Sequence, residues 1–207
     1  MVLSLANLSE EQRETPVEFA HYLMDDEAFY AFCQINGHLK FERNPDGLII
    51  AMPHSGGKTG NRNLKLASRL DIWIEAYGGV GFDSSTAFKF PNEATRSPDA
   101  AWISEARWNS LTEQQQENFP PIAPDFVIEL IRSAARSATD QLLKAKEKML
   151  EFIANGVLLG WLIDSTNEEV CIYRADGTIT RHTDLEKPLT GESVLPSFEF
   201  DLRLLKR

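Results

Sequence analysis

The fold of this chain is decided by residues 124–164, which read PDFVIELIRSAARSATDQLLKAKEKMLEFIANGVLLGWLID. Residues 125–131 are almost continuously apolar, which is typical of a central strand buried on both faces of a sheet. Residues 139–154 then place apolar side chains at helical intervals, and Asn155-Gly156 is a favourable helix stop. LLGWLI, residues 158–163, follows as another strand. The segment therefore predicts a strand, a helix and a strand in succession.

The flanking sequence extends this alternation in both directions. Residues 1–36 open with acidic side chains and then repeat apolar ones at helical spacing, which predicts a lead-in of one or two helices. A hairpin is expected over residues 38–52, because Asn44-Pro45-Asp46-Gly47 is a strong turn sequence. After a glycine-rich loop, residues 61–76 predict an amphipathic helix. Further strands are expected in four segments: 80–90, 99–103, 169–174 and 179–183.

This order of elements predicts an α/β (α+β) fold, with a mixed β-sheet flanked by helices. With 207 residues and 43% hydrophobic side chains, the chain is expected to form one domain over residues 1–207. Its core should occupy residues 37–205. Thr112 and Gln115 resemble a capping box that opens a short helix within an insertion.

Composition also excludes several classes of protein. No apolar stretch approaches the roughly 20 residues of a membrane span, so no membrane partner is expected. The N-terminus lacks the basic and apolar regions of a signal peptide, and Cys33 and Cys171 lack metal-ligand spacing. These features predict a cytoplasmic protein. A net charge of −10 argues against a nucleic-acid partner, although residues 58–69 carry four basic and no acidic side chains.

Two acids and one lysine are the candidate catalytic residues. Glu129 interrupts the apolar strand, where an unpaired carboxylate would cost several kcal/mol. Asp99 follows Ser97-Pro98 at the start of another strand, and Lys148 borders the apolar stripe of the helix after Glu129. Two carboxylates can hold a divalent cation, and an ammonium beside them can orient or deprotonate a water. That is the chemistry of phosphodiester hydrolysis, and it suits Mg²⁺ or Mn²⁺.

These residues and their surroundings resemble the restriction-endonuclease family known as the Uma-two type, within the PD-(D/E)xK nuclease superfamily. The similarity covers roughly residues 35–205, and the matching pieces are Glu42–Met52, the glycine-rich loop with Asn63, Ser97-Pro98-Asp99, residues 124–130, Asp140, Lys148-Met149 and residues 155–164.

The resemblance implies a restriction-endonuclease-like core and a site at which Asp99, Glu129 and the Leu130 carbonyl bind the metal. The simplest superfamily pattern would place the lysine at position 131, which is an isoleucine here, and Lys148 takes that role in this family type. Glu42 matches an early acid that could complete the cluster. The resemblance also implies nucleic acid, DNA first, as the substrate, and a homodimer.

Three other hypotheses compete with this one. A catalytically inactive nuclease fold could bind nucleic acid or protein, as the acidic net charge and the isoleucine at 131 would favour. The glycine-rich loop has the context of a phosphate-binding P-loop but lacks its spacing, because position 52 is Met52. The four histidines show no zinc-binding spacing. The nuclease hypothesis predicts Asp99 and Glu129 carboxylates about 4 to 5 Å apart, with Lys148 pointing into the same cleft.

Overall fold

The computed structural model describes residues 17–19, 24–131, 138–184 and 186–206. The helices are α1 (Asp26–Ile35), α2 (Gly57–Tyr77), α3 (Glu105–Trp108), α4 (Glu113–Glu117) and α5 (Ala138–Ala154), and a 3₁₀ helix covers Leu202–Lys206. The strands are β1 (Val17–Phe19), β2 (Lys40–Arg43), β3 (Ile49–Met52), β4 (Val80–Asp83), β5 (Phe88–Lys89), β6 (Thr95–Arg96), β7 (Ala100–Ile103), β8 (Phe126–Leu130), β9 (Leu159–Asp164), β10 (Glu169–Arg174), β11 (Ile179–His182), β12 (Leu189–Thr190) and β13 (Glu199–Phe200).

The central sheet has six strands in the order β11-β10-β9-β8-β7-β4. β8 lies in the middle, parallel to β9 and antiparallel to β7, and α5 makes the crossover between the two parallel strands. The prediction of a central buried strand is therefore confirmed. A second sheet, in the order β1-β3-β2-β6-β5, contains the hairpin predicted around residues 44–47.

Helices cover both faces of the central sheet. Ile128 and Trp161 pack with Leu66 and Leu70 of α2 in one core cluster. Val127 packs in the other cluster, which also contains Met149 and Phe152 of α5. Because successive side chains of a strand alternate between faces, Glu129 lies on the same face as Val127, beneath α5. The predicted mixed sheet flanked by helices is confirmed.

The predicted helical lead-in is only partly correct. α1 accounts for its second half, and the aspartate at position 25 caps that helix by accepting a hydrogen bond from the Ala28 amide at 2.8 Å. Val17–Phe19 instead forms a strand antiparallel to Ile49–Ala51. An available strand edge outweighs a short helical pattern, because strand propensity depends mainly on pairing context. The remainder of the lead-in, residues 1–16 and 20–23, lies outside the described residues.

α2 begins four residues earlier than predicted, and its first turn includes two glycines, Gly57 and Gly60. The helix ends at Gly78 and Gly79, whose φ angles are +81° and +87°. A Cβ on Gly79 would lie 2.3 Å from the Trp102 Nε1 atom. Only glycine therefore fits at this close approach between α2 and the central sheet.

None of the helices within residues 24–131, 138–184 and 186–206 is both long and apolar enough to cross a bilayer. The capping box at Thr112 and Gln115 is present and opens α4.

Candidate active site

Glu129 and Lys148 face each other across the β8–α5 layer. The Lys148 Nζ lies 2.7 Å from the Glu129 Oε1, and only 16% and 14% of the two side chains are exposed. The alternation of β8 brings the carboxylate to the α5 face, and Lys148 lies next to the buried Met149 on that helix. The acid in the apolar strand is thus paired with a cation, as burial of a carboxylate requires.

Glu42 lies on the other side of the same ammonium. Its Oε1 accepts hydrogen bonds from Lys148 Nζ at 2.8 Å and from the Ser97 amide at 3.0 Å. Arg96 Nη1 lies 3.8 Å from its Oε2, and Glu42 is only 4% exposed. A hairpin glutamate would ordinarily be solvated, but here β2 directs it against α5. Lys148 is therefore held between a buried carboxylate, Glu42, and a largely buried one, Glu129.

Asp99 lies at the start of β7, where its side chain extends the contact with β8. Its Oδ2 accepts a hydrogen bond from the Leu130 amide, and its Oδ1 accepts one from Asn63 Nδ2, each at 2.9 Å. The Asp99 amide in turn donates to the Ile128 carbonyl at 3.0 Å. Both carboxylate oxygens therefore have partners in the protein.

The charges of this group shift the pKa values of its members. Burial, reinforced by the charges of Asp99 and Glu42, raises the pKa of Glu129 to about 7 despite the opposing effect of Lys148. Burial also acts to raise the pKa of Glu42, but Lys148 and Arg96 together bring it below its ordinary value. Burial acts to lower the pKa of Lys148, yet the two carboxylates raise it overall. Lys148 is therefore protonated at neutral pH.

A cleft of about 570 Å³ opens beside these residues. The β2–β3 hairpin forms one wall and α5 forms the other. The site residues Glu42, Glu129, Leu130 and Lys148 line it, together with Asn44, Pro45, Ile50, Met52, Pro53, Arg96, Ile131, Gln141, Lys144, Ala145, Glu147 and Glu151. Glu129 and Lys148 are thus accessible from this cleft.

The predicted acids do not all meet at one point. Within the described part of the chain, no three of its Asp, Glu, His or Cys side chains form a group that could hold a metal ion by themselves. Glu42 contacts the cations Lys148 and Arg96, and its role in completing an acidic cluster stays a prediction. Asp99, Glu129 and the Leu130 carbonyl stay the predicted oxygen ligands of a metal. This set fits Mg²⁺ or Mn²⁺, which commonly take one or two carboxylates and complete their coordination with water.

Sequence reasoning missed several residues around the site. Arg96 is buried and pairs with Glu151 of α5 at 2.6 Å, and its Nη1 donates to the Arg43 carbonyl at 3.1 Å. No local pattern reveals this contact, because it joins residues 55 positions apart. Asn63 entered only as part of the family pattern. Lys40 had a local signal, since it lies two residues before Glu42 and shares its face of the strand.

The basic run over residues 58–69 contributes less to a binding surface than its charge suggests. Arg62 Nε donates to the Leu205 carbonyl at 2.9 Å, and Lys65 Nζ donates to the Leu204 carbonyl at 2.8 Å. Two of its four cations thus anchor the 3₁₀ helix near residue 204. The P-loop hypothesis also loses its context, because Gly57 and Gly60 are helical.

Comparison with known proteins places this architecture in a family. The crystal structure of a "putative nuclease belonging to DUF820" from Anabaena variabilis ATCC 29413 has the same fold, with a TM-score of 0.66 and 20% sequence identity over 80% of this chain and 88% of that one. No curated protein matches the sequence. The family model Uma2, described as "Putative restriction endonuclease", matches residues 26–203. The chain therefore belongs to the Uma2 family, and the resemblance drawn from its motifs is confirmed.

Proposed function

We propose that this protein is a metal-dependent endonuclease that hydrolyses phosphodiester bonds of nucleic acid, with DNA as the first candidate substrate. The observation that carries the proposal is the meeting of Glu129 and Lys148 at 2.7 Å on the wall of a cleft, where Asp99 acts electrostatically on Glu129. These three residues come from β8, α5 and the start of β7. The family description supports the same class of reaction.

Asp99, Glu129 and the Leu130 carbonyl would hold the metal ion. The Leu130 amide donates toward Asp99, and the amide and carbonyl of one strand residue point toward the same neighbouring strand. The Leu130 carbonyl therefore lies on the Asp99 side of β8. Burial is the main cause of the raised pKa of Glu129, and the negative charges of Asp99 and Glu42 add to it, so a divalent cation bound here would favour the charged carboxylate. When bound, such an ion would polarise the phosphate and lower the pKa of a coordinated water.

Lys148 would orient the attacking water or the phosphate through hydrogen bonds. Of the two roles considered from sequence, orienting a water fits better than deprotonating it, because both carboxylates keep Lys148 protonated. Glu42 would act as a positioning residue: it fixes the ammonium from the side opposite Glu129. Arg96 would in turn hold Glu42 in its charged form.

The test has two assays. Calorimetry measures the binding of Mg²⁺ and Mn²⁺ as each ion is titrated into the protein, and cleavage of plasmid and single-stranded DNA is measured at low salt. The wild-type protein is compared with Glu129→Gln and with Glu75→Gln, which makes the same change on the exposed face of α2. We expect metal binding and nicking to disappear in Glu129→Gln and to persist in Glu75→Gln. Wild-type levels of nicking by Glu129→Gln would refute the assignment.

A second candidate is a catalytically inactive nuclease fold that binds nucleic acid or protein. The existing contacts of the two acids favour this function, because both Asp99 oxygens accept hydrogen bonds and Glu129 is paired with Lys148, so both carboxylates already have partners within the protein. Absence of metal binding and of cleavage in the wild-type protein, with retained DNA binding, would support this function instead. The homodimer stays a prediction, which sedimentation equilibrium would check.

A further inference from the structure

Lys40 occupies a position on the cleft face of the hairpin that the proposed mechanism does not use. Side chains alternate along β2, so Lys40, Glu42 and Asn44 share one face. The strand register places Lys40 opposite Met52 and Glu42 opposite Ile50. The other four of these residues line the cleft. Lys40 therefore extends the same wall at its Met52 end.

The ammonium of Lys40 lies in the electrostatic field of the site's charged groups. Burial lowers its pKa, and the largest opposing effect comes from Asp99, with smaller attractions from Glu42 and Glu129. Among the residues that the structure describes, none forms an ion pair or hydrogen bond with this ammonium. Lys148 differs in this respect, because it is fixed between two carboxylates.

This difference in pairing bears on which of the two ammonium groups is available to the negative charge of a substrate. With a divalent cation bound, the charges of Asp99, Glu129 and Glu42 would be balanced by that ion and Lys148. Arg96 is already paired with Glu151. Lys144 lines the cleft from α5, and on the hairpin wall Lys40, which is partly desolvated, is the cation left to meet the negative charge of an entering phosphodiester. An ammonium in such a place interacts more strongly with an anion than it would in water.

We propose that Lys40 is a substrate-binding residue, which contacts a nonbridging oxygen of the phosphodiester from the Asp99 side of the cleft. This inference rests on the proposed function, because it names the residue that receives the substrate at that same site. A lysine supplies a point charge to phosphate rather than a planar fork, so an arginine can replace its charge even where it changes the geometry.

The test compares Lys40→Met and Lys40→Arg with the wild-type protein. Lys187→Met is the matched control, since Lys187 is 76% exposed and pairs only with Asp184 among the described residues. Two readouts are used: the affinity for a fluorescent single-stranded oligonucleotide by anisotropy in EDTA, and KM and kcat for cleavage with Mg²⁺. Melting temperatures show whether each variant is folded.

We expect Lys40→Met to lower oligonucleotide affinity and kcat/KM by about 10- to 100-fold, the range for a lost charge-assisted hydrogen bond. Most of the loss should appear in KM, Lys40→Arg should restore most of it, and Lys187→Met should stay within about twofold. Folded Lys40→Met with unchanged affinity and KM would overturn the inference. So would a Lys40→Arg variant that melts as the wild type but recovers neither.

The two proposals fail in distinguishable ways. If the wild-type protein cuts nothing yet binds the oligonucleotide through Lys40, the endonuclease function is refuted and Lys40 stands as a nucleic-acid contact. If the protein cuts DNA and Lys40→Met cuts equally well with the same KM, only the inference about Lys40 fails. If the wild type neither cuts nor binds, both are refuted.

Discussion

Replacing Glu129 with glutamine should flatten the pH dependence of the free energy of unfolding between about pH 4.5 and pH 7. The pKa of this carboxyl rises from 4.5 to about 7 in the folded protein, chiefly because it is buried. Each pH unit of that difference corresponds to about 1.4 kcal/mol, so ionising Glu129 costs the folded state about 3 kcal/mol. The folded state binds the proton more tightly than the unfolded state does. The contribution of the Glu129 carboxyl to stability is therefore fully present below about pH 4.5 and is lost as the pH rises through 7.

Urea denaturation at a series of pH values measures this effect. The unfolding free energy of Glu129→Gln minus that of the wild type should grow by about 3 kcal/mol between pH 4.5 and pH 7.5, and should then level off. Lys148 adds no slope in this window, because its raised pKa keeps it protonated in both proteins. Glu75→Gln, on an exposed helix face, should run parallel to the wild type.

Parallel curves for Glu129→Gln and the wild type would refute the reasoning, as would a wild-type protein that gains stability relative to the variant over this range.

The same denaturation series can be repeated with Mg²⁺ present. A divalent cation at Glu129 favours its charged form, so saturating Mg²⁺ should reduce the wild-type slope. Binding of Mg²⁺ that leaves the slope unchanged would place the ion away from Glu129.

Two further predictions concern the support of the site and of the fold. Glu42→Gln should lower the free energy of unfolding by about 3 kcal/mol, because it removes one of the two carboxylates that pair with Lys148. The melting temperature should fall by about 6 to 12 °C and the cleavage rate should fall with it. An unchanged melting temperature would contradict the pairing. Gly79→Ala should cost at least about 2 kcal/mol in urea unfolding, because its φ is +87° and the new Cβ would meet Trp102. Gly177→Ala has a φ of +84° with no atom within 4 Å, so it should cost only about 1 kcal/mol, and equal losses would disprove the clash.

The parts of the fold that the sequence predicts best are those with a strong local pattern. The almost continuously apolar run of residues 125–131 predicts a strand with a neighbour on each side, and β8 lies between β7 and β9. The helix expected over residues 139–154 begins one residue earlier, at Ala138. Pro45 and Gly47 in the hairpin turn specify its backbone, and Gly47 adopts a φ of +86°.

The parts that it could not predict depend on residues far apart in the chain. Val17–Phe19 is a strand because it pairs with the edge of β3, and no sequence pattern within residues 1–36 predicts this pairing. In the same way, Glu129 could be recognised as a buried acid in need of a partner, whereas the contact of Glu42 with Lys148 spans 106 positions. The face shared by Lys40 and Glu42 was visible in the sequence, but its direction toward the cleft follows only from the packing of the hairpin.

The packing of α2 has a consequence for folding during synthesis. Its apolar residues Leu66, Leu70 and Trp73 share a core cluster with Leu195, Phe198 and Leu202, and Trp73 Nε1 donates to the Pro196 carbonyl at 2.8 Å. The ribosome adds these covering residues about 120 positions after the end of α2. At about 5 to 20 residues per second, the apolar face of α2 would wait on the order of ten seconds for its cover. Contacts of such high sequence separation also slow folding itself, so the nascent chain passes through an aggregation-prone interval that chaperones would have to protect.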